Sequence, residues 1–219
     1  MIKAIIFDLD GVLVDAEKIQ TKALLVVLSK FKVVPSINEI RKYEGALTEE
    51  LIKALLGNRG IETSSIKQLA EKRRKLALRL INSEGVGISE GAMQLLSRIK
   101  NLNLKIAVAT AASRTRAELI LEKTGIGKYV DILVTGSDVG KGKPNPEIFL
   151  LAAKRLKVYP SECLVIEDSE NGVVAAKSAG MFCVAKDSGT KQNLAKADRV
   201  VKSLSKINVV SLMNQFKFN

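Results

Sequence analysis

Asp8 and Asp10 stand two residues apart at the end of the mostly apolar, β-prone run 1–7, with Gly11 immediately after them and Asp15 a few residues on. Such a run has the pattern of a strand buried on both faces of a parallel sheet. An alternating strand end turns both carboxylates to one side, where they repel and lose hydration unless a cation lies between them. A divalent metal is the simplest remedy, and Gly11 lets a phosphate rest against main-chain N–H groups. A strand ending in a polar turn explains an isolated Asp-x-Asp as well. A calcium loop does not, because Gly11 comes too early and Ile19 stands where the terminal glutamate belongs.

What lifts these aspartates above a polar turn is the rest of the chain. Thr110 follows the apolar stretch 104–109, Glu167 and Asp168 follow the stretch 163–166, and Lys143 lies in Gly142-Lys143-Pro144-Asn145-Pro146 just before a helix. Singly, each has an ordinary explanation: a strand-end hydroxyl, a solvated lysine, a helix N-cap in Glu167-Asp168-Ser169. Their recurrence at successive strand ends is what those explanations leave out. If the strands are neighbours, these groups converge with Asp8 and Asp10 on one crevice. Carboxylates, a hydroxyl and an ammonium together are what a magnesium-bound phosphoryl group needs.

The elements that must bring them together follow from periodicity. Apolar residues at helical spacing mark a helix over 17–31, ended by Pro35, and a short one over 37–43 before Gly45. Thr48, followed by Glu49 and Glu50, reads as the N-cap of a third helix that stops at Gly57. Ser65 and Gln68 form a capping-box pattern for a fourth with Leu69, Leu76, Leu80 and Ile81 on its apolar face. Residues 15–81 thus hold helices and no strand candidate, bracketed by strand-rich sequence, the pattern of a helical insertion in a larger α/β domain. Glu84-Gly85-Val86-Gly87 is the return linker, its glycines plausible hinges.

Beyond Gly91 strand and helix alternate. Strands are expected over 104–109, 132–135, 163–166 and 182–185, with a further one at Val200 and Val201 before a C-terminal helix. Between them lie a helix with a Thr115/Glu118 capping box ending at Gly125, one with Asn145 and Pro146 as N-cap and N1, and one from about Asn171 to Gly180. The expected fold is α/β: a Rossmann-like parallel sheet core, residues 1–14 and 85–219, with an all-helical cap inserted over 15–84. Ligands then sit beyond the carboxyl ends of the strands.

Composition excludes several alternatives. At 219 residues, 47% of them hydrophobic, the chain can bury a full core, and no apolar run reaches membrane-spanning length. With 2–7 a core strand, no cleavable signal peptide fits, and a cytoplasmic location is expected. The absence of histidine removes Ser-His-Asp and Cys-His catalysis and every histidine metal site. Cys163 and Cys183, each in an apolar run, read as buried thiols. The net charge of +12 is spread along the chain, which argues for a solvated lysine-rich surface rather than a nucleic-acid face, though it still steers an anionic substrate.

Phe7-Asp8-Leu9-Asp10-Gly11-Val12-Leu13-Val14-Asp15, Val108-Ala109-Thr110, Gly142-Lys143-Pro144-Asn145-Pro146-Glu147 and Ile166-Glu167-Asp168-Ser169, with the Ala-rich helix up to Ala179-Gly180-Met181, resemble the haloacid dehalogenase-like hydrolase superfamily, in its phosphatase branch with a helical cap. The resemblance covers nearly the whole chain. It implies Asp8 as the nucleophile that forms an aspartyl-phosphate and Asp10 as the general acid and base. It implies phosphate binding by Thr110, Ala111 and Lys143, and Mg2+ held by Asp8, the Asp10 carbonyl, Glu167 and Asp168. The cap would close over the site and exclude water.

Asp10 favours phosphoryl chemistry over carbon–halogen cleavage, since the family's dehalogenases lack that carboxylate. Against β-phosphoglucomutase-like members, Gln20 replaces a histidine of the first cap helix, and Glu44 and Leu47 stand where basic or polar residues are usual. The expected activity is therefore magnesium-dependent hydrolysis of a small phosphorylated metabolite, phosphoglycolate or a sugar phosphate, by a monomer or small homo-oligomer. The alternatives are a phosphosugar mutase and, remotely, a basic nucleic-acid-binding protein on an idle scaffold. Arg73, in the last cap helix, is the cap cation that could meet substrate, against the more ordinary reading of a solvent-facing arginine in the basic run 72–75.

Overall fold

A computed structural model describes residues 1–43, 46–189 and 193–215. Its centre is β1 (Ala4–Phe7), whose four residues are all buried. β1 is hydrogen-bonded on both edges, to β4 (Lys105–Thr110) and β6 (Cys163–Glu167), and all pairings of the six-stranded sheet are parallel, in the order β5-β4-β1-β6-β7-β8. β5 (Ile132–Thr135) closes one edge, and β7 (Phe182–Lys186) and β8 (Arg199–Val201) lie on the other.

Alternation along these strands divides the core in two. Ile5, Phe7, Ile106, Val108, Leu164 and Ile166 face a cluster covered by α5 (Ala92–Asn101), α6 (Arg114–Thr124) and α9 (Val209–Gln215). Ala4, Ile6, Ala107, Ala109, Cys163 and Val165 face the other, covered by α7 (Glu147–Leu156) and α8 (Glu170–Ser178). Several alanines on that second face bring α7 close to the sheet, so the loops before it lie at the strand ends.

Between β2 (Val14–Asp15) and β3 (Gly87–Ile88) stand the cap helices α1 (Glu17–Leu28), α2 (Ile37–Arg41), α3 (Thr48–Gly57) and α4 (Ile66–Glu84). They share a cluster of their own, including Leu24, Leu28, Ile52, Leu55 and Leu69. α1 and α4 nonetheless belong to both halves, because Ile19, Ala23, Ala77 and Ile81 join the sheet's cluster. β2 and β3 pair antiparallel, Val14 with Ile88 and Asp15 with Gly87. This ribbon stands where a plain linker is expected, and two-residue strands are too short for periodicity to reveal. α5 is likewise absent from the sequence reading.

Several helix starts differ from expectation. Thr48 is the first residue of α3 rather than its cap; Leu47 holds that place, its N–H donating to the Glu50 carboxylate at 2.8 Å. Ser65 precedes α4 with no side-chain cap, and Thr115 lies inside α6, which starts after Ser113. Pro146 rather than Asn145 occupies the N-cap of α7, although the Asn145 side chain still accepts the Glu147 N–H at 3.0 Å. Ser65 keeps the expected N-cap place without its box, and the other three are shifts of one or two residues, within the usual imprecision of helix ends. Glu44 and Gly45 lie outside the described residues.

Candidate active site

Asp8 continues β1 by one residue, its N–H donating to the Ile166 carbonyl at 2.9 Å, so its carboxylate is fixed at the seam between β1 and β6. The chain then folds tightly back: Leu13 and Val14 N–H both reach the Leu9 carbonyl, and Gly11 N–H reaches the Val14 carbonyl at 2.7 Å. Gly11 takes a φ of +77° in this loop, and a Cβ there would lie 1.8 Å from Asp168 Oδ2. The Asp168 carboxylate therefore rests on the Asp10–Gly11 loop, in a cradle that only glycine leaves open.

Lys143 lies beneath Asp8, its side chain wholly buried. Its Nζ donates to Asp8 Oδ1, to Glu167 Oε1 at 2.5 Å and to the Ala109 carbonyl at 3.3 Å. Glu167 Oε2 accepts the N–H groups of Asp168 and Ser169 and the Ser169 hydroxyl at 2.8–3.0 Å. Gly172 in α8 makes room for this, since a Cβ there would lie 1.9 Å from Glu167 Cδ. Both Glu167 oxygens are thus turned toward Lys143 and the start of α8 rather than toward open space. Among the described residues no group of three or more His, Cys, Asp and Glu side chains is placed to hold a metal ion.

Burial pushes the Asp8 carboxyl up to about 7, against the pull of the Lys143 ammonium and with Glu167 and Asp10 adding to the rise. Burial alone would lower Lys143, but the two carboxylates outweigh it and hold the ammonium charged. Thr110, 1% exposed at the end of β4, accepts the Ala112 N–H through its hydroxyl oxygen at 3.1 Å, which leaves the hydroxyl proton for a ligand. Asp10 is held by Arg116 of α6, whose Nη1 reaches Oδ1 at 3.0 Å while Nη2 bonds Oδ2.

A cavity of about 550 Å3 lies over these groups, lined from the sheet by Asp8, Asp10, Thr110, Ala111, Glu167 and Asp168 and from the cap by Gln20 and Arg73. Lys143 sits behind its wall. The cap is seated on the strand-end loops: a Cβ on Gly142 would lie 2.7 Å from Leu47 N, and Asn171 Nδ2 donates to the Lys42 carbonyl at 3.2 Å. Buried acid, buried ammonium and a roofed cavity at the carboxyl ends of parallel strands together suit attack on an anionic, tetrahedral centre.

The pattern of the haloacid dehalogenase-like hydrolases matches residues 5–186. The chain belongs to that family. It is 33% identical to a β-phosphoglucomutase of Bacillus subtilis over 98% of this chain and 96% of the relative. It is 34% identical to a phosphorylated carbohydrates phosphatase of Thermotoga maritima over 82% of each. Its fold superposes on the crystal structure of a β-phosphoglucomutase from Clostridium difficile with a TM-score of 0.88, 30% identity, and coverage of 100% of this chain and 98% of the other. With this family membership and phosphatases among the relatives it matches, the chain is an enzyme of the phosphoric monoester hydrolase class.

Sequence reasoning singled out Asp8, Asp10, Thr110, Ala111, Glu167 and Asp168 among the strand-end groups that line this hydrolase's cavity, but not Ser113, Ser188 or the cation Lys186. Lys186 ends β7 and donates to the Gly11 carbonyl at 2.7 Å, bracing the loop from the far side. It obeys the same strand-end rule that marks Thr110 and Glu167. Arg116 was also missed. The buried face of α6 reads Arg116, Ala117, Ile120, Leu121, and an arginine in that register was the signal. Arg73 faces the cavity rather than solvent. Burial, then the nearby Arg116 charge, lowers its guanidinium to about 10.

Proposed function

We propose that this enzyme hydrolyses small phosphomonoesters with magnesium, through an aspartyl-phosphate on Asp8. The observation that carries the proposal is the buried Lys143 ammonium bridging Asp8 and Glu167 beneath the cavity floor. Asp8 Oδ attacks phosphorus in line, and the leaving oxygen takes a proton from Asp10. Asp10 then takes a proton from the water that cleaves the acyl-phosphate. Thr110 and Ala111 hold the phosphate oxygens, while Lys143, which donates to Asp8, Glu167 and the Ala109 carbonyl, offsets their charge from behind the wall.

The residues present fit Mg2+, which keeps several waters and asks few protein ligands. Asp8, Asp168 in its cradle against Gly11, and the Asp10 carbonyl would hold it. Glu167 stands one step behind, orienting Lys143, rather than as the direct ligand that the sequence suggests. When bound, the ion would keep Asp8 ionised despite its burial and offset the repulsion between carboxylate and phosphate. Among the described residues no helix is long and apolar enough to cross a membrane. A small phosphorylated metabolite, a sugar phosphate or phosphoglycolate, is the substrate class that suits a roofed cavity of this size.

Phosphate release from p-nitrophenyl phosphate and from a panel of phosphorylated metabolites, with and without magnesium, tests the proposal. Asp8→Asn is expected to abolish release; persistence of activity in that variant refutes the nucleophile. Isomerisation of β-glucose 1-phosphate with little free phosphate would instead assign the chain to the mutase side of its relatives.

A further inference from the structure

We infer that Lys186 is a positioning residue for the metal. Its ammonium, which cannot itself be a ligand, fixes the Gly11 carbonyl and through it the Asp10 carbonyl and the seat of Asp168, so that its loss weakens divalent-cation binding. The inference rests on the magnesium site of the phosphatase reading and adds a residue that governs it.

Gly11 is held at both ends. Its N–H donates to the Val14 carbonyl at 2.7 Å, and its own carbonyl accepts from Lys186 Nζ at 2.7 Å, the one donor it has among the described residues. Between these bonds Gly11 keeps a φ of +77°. A residue without a Cβ leaves that conformation as readily as it enters it, so the bonds rather than sterics set the shape of the loop. That shape decides two of the three groups proposed to hold Mg2+. The Asp10–Gly11 peptide carries the Asp10 carbonyl, and the Asp168 carboxylate rests where a Gly11 Cβ would be, 1.8 Å from its Oδ2.

The sheet puts Lys186 in place for this. It ends β7 one residue beyond the register pair Ala185–Glu167, level with Asp168. Its Nζ also reaches Ser89 Oγ at 3.5 Å, and the Ser89 N–H donates to the Leu13 carbonyl at 2.9 Å, so the brace spans the loop and the segment that returns from the cap. Among the described residues the ammonium forms no ion pair, although it lines the cavity that the metal would share. An unpaired cation beside a cation site is electrostatically unfavourable, and the donation to Gly11 is the interaction that accounts for its place there.

The test titrates Mg2+ alone, without substrate, into the metal-stripped full chain by calorimetry, with Mn2+ binding followed by electron paramagnetic resonance as a second probe. Lys186→Met is expected to weaken both ions by about tenfold to hundredfold, the range for groups that orient metal ligands from outside the coordination sphere. Charge alone predicts the opposite sign, since removing a cation from the cavity wall favours another. Lys186→Arg, which keeps a charge and a donor, is expected to retain most of the affinity. The same loss is expected of Lys186→Gln, uncharged and one atom shorter, which carries the test where the methionine variant does not fold. Melting temperatures separate a merely structural brace, which lowers the metal-free value and leaves the rise with Mg2+ unchanged; the expected result is a smaller rise. Unchanged or tighter metal binding in the folded variants overturns the positioning role and leaves the magnesium site intact. Absence of Mg2+ and Mn2+ binding by the wild type overturns that site and this inference with it.

Discussion

Replacing Lys143 with methionine removes one ammonium from between two carboxylates while keeping the length of the chain over the Phe149 ring, whose centroid lies 5.0 Å from Nζ. The Lys143 side chain is 0% exposed and that of Glu167 1%, so solvent cannot take over the lost interaction. Breaking a buried pair by removing one partner costs about 3–5 kcal/mol. Two anions are stranded here, but the cost stays near that range rather than doubling. Glu167 keeps the three donors on its Oε2, and Asp8, already pushed up to about 7, can shed its charge by taking a proton. At about 2–4 °C per kcal/mol for a chain of this size, the melting temperature should fall by about 6–20 °C. Thermal and urea unfolding of wild type, Lys143→Met, Glu167→Gln and the double variant measure it, and the double variant should recover part of the loss because one stranded charge is gone. The deficit of Lys143→Met should also shrink as pH falls. Burial raises the folded pKa of Asp8, and loss of the ammonium raises it further, so its contribution to stability is present at low pH and lost as pH rises through the folded value. A Lys143→Met variant within about 1 kcal/mol of wild type, well below the cost of a broken buried pair, would refute the reasoning.

Gly172→Ala puts a methyl group within 1.9–2.3 Å of the Glu167 carboxyl group, so Glu167 must leave Lys143; phosphate release should fall steeply while circular dichroism and the cap helices are kept, and full activity would count against Glu167 as the group that positions Lys143. Asp138 accepts from the Thr135 N–H and hydroxyl, Arg114 and Arg155 at 2.7–2.9 Å, contacts that outweigh burial and hold its carboxyl well below the usual range. Asp138→Asn should cost about 1–3 kcal/mol at neutral pH, the price of leaving such donors unmatched. Because a depressed folded pKa stabilises above the unfolded value and is lost as pH falls through the folded one, the difference from wild type should fade below about pH 4; a constant difference would reject the assignment.

How much of this was legible beforehand depends on whether the signal was local. β1, β4 and β6 announced themselves as apolar runs ending in Asp8, Thr110 and Glu167, and the parallel order of the sheet made those ends meet. Ribbon β2/β3 gave no such sign, since two residues carry no period and their pairing depends on the cap helices bringing residues 14 and 88 together. Thr115 and Glu118 satisfied the capping-box spacing, but the chain leaves β4 through Ala111, Ala112 and Ser113 and enters the helix earlier. That misplaced start hid Arg116, whose importance comes from register on α6 rather than from any motif. The orientation of Glu167 was not legible either: a strand-end glutamate beside an aspartate suggests a metal ligand. Only Gly172, two turns of reasoning away in sequence, tells that its carboxylate is received by α8.

The two aspartates of the first loop are each matched by a cation from elsewhere in the chain, and the two matches differ in kind. Lys143 is wholly enclosed, donates to three oxygens and has no access to the cavity from its place behind the wall, so its charge is a fixed feature of the floor under Asp8. Arg116 lines the cavity, and its bond to Asp10 bridges the tip of a glycine loop and one side chain of a helix against which the cap helix α4 packs. A permanent counter-charge suits the nucleophile that we propose at Asp8, which must stay in line with phosphorus. The fold accordingly fixes Lys143 at the strand ends, where every loop is held by sheet register, and sets Arg116 where α6 meets the cap helix α4.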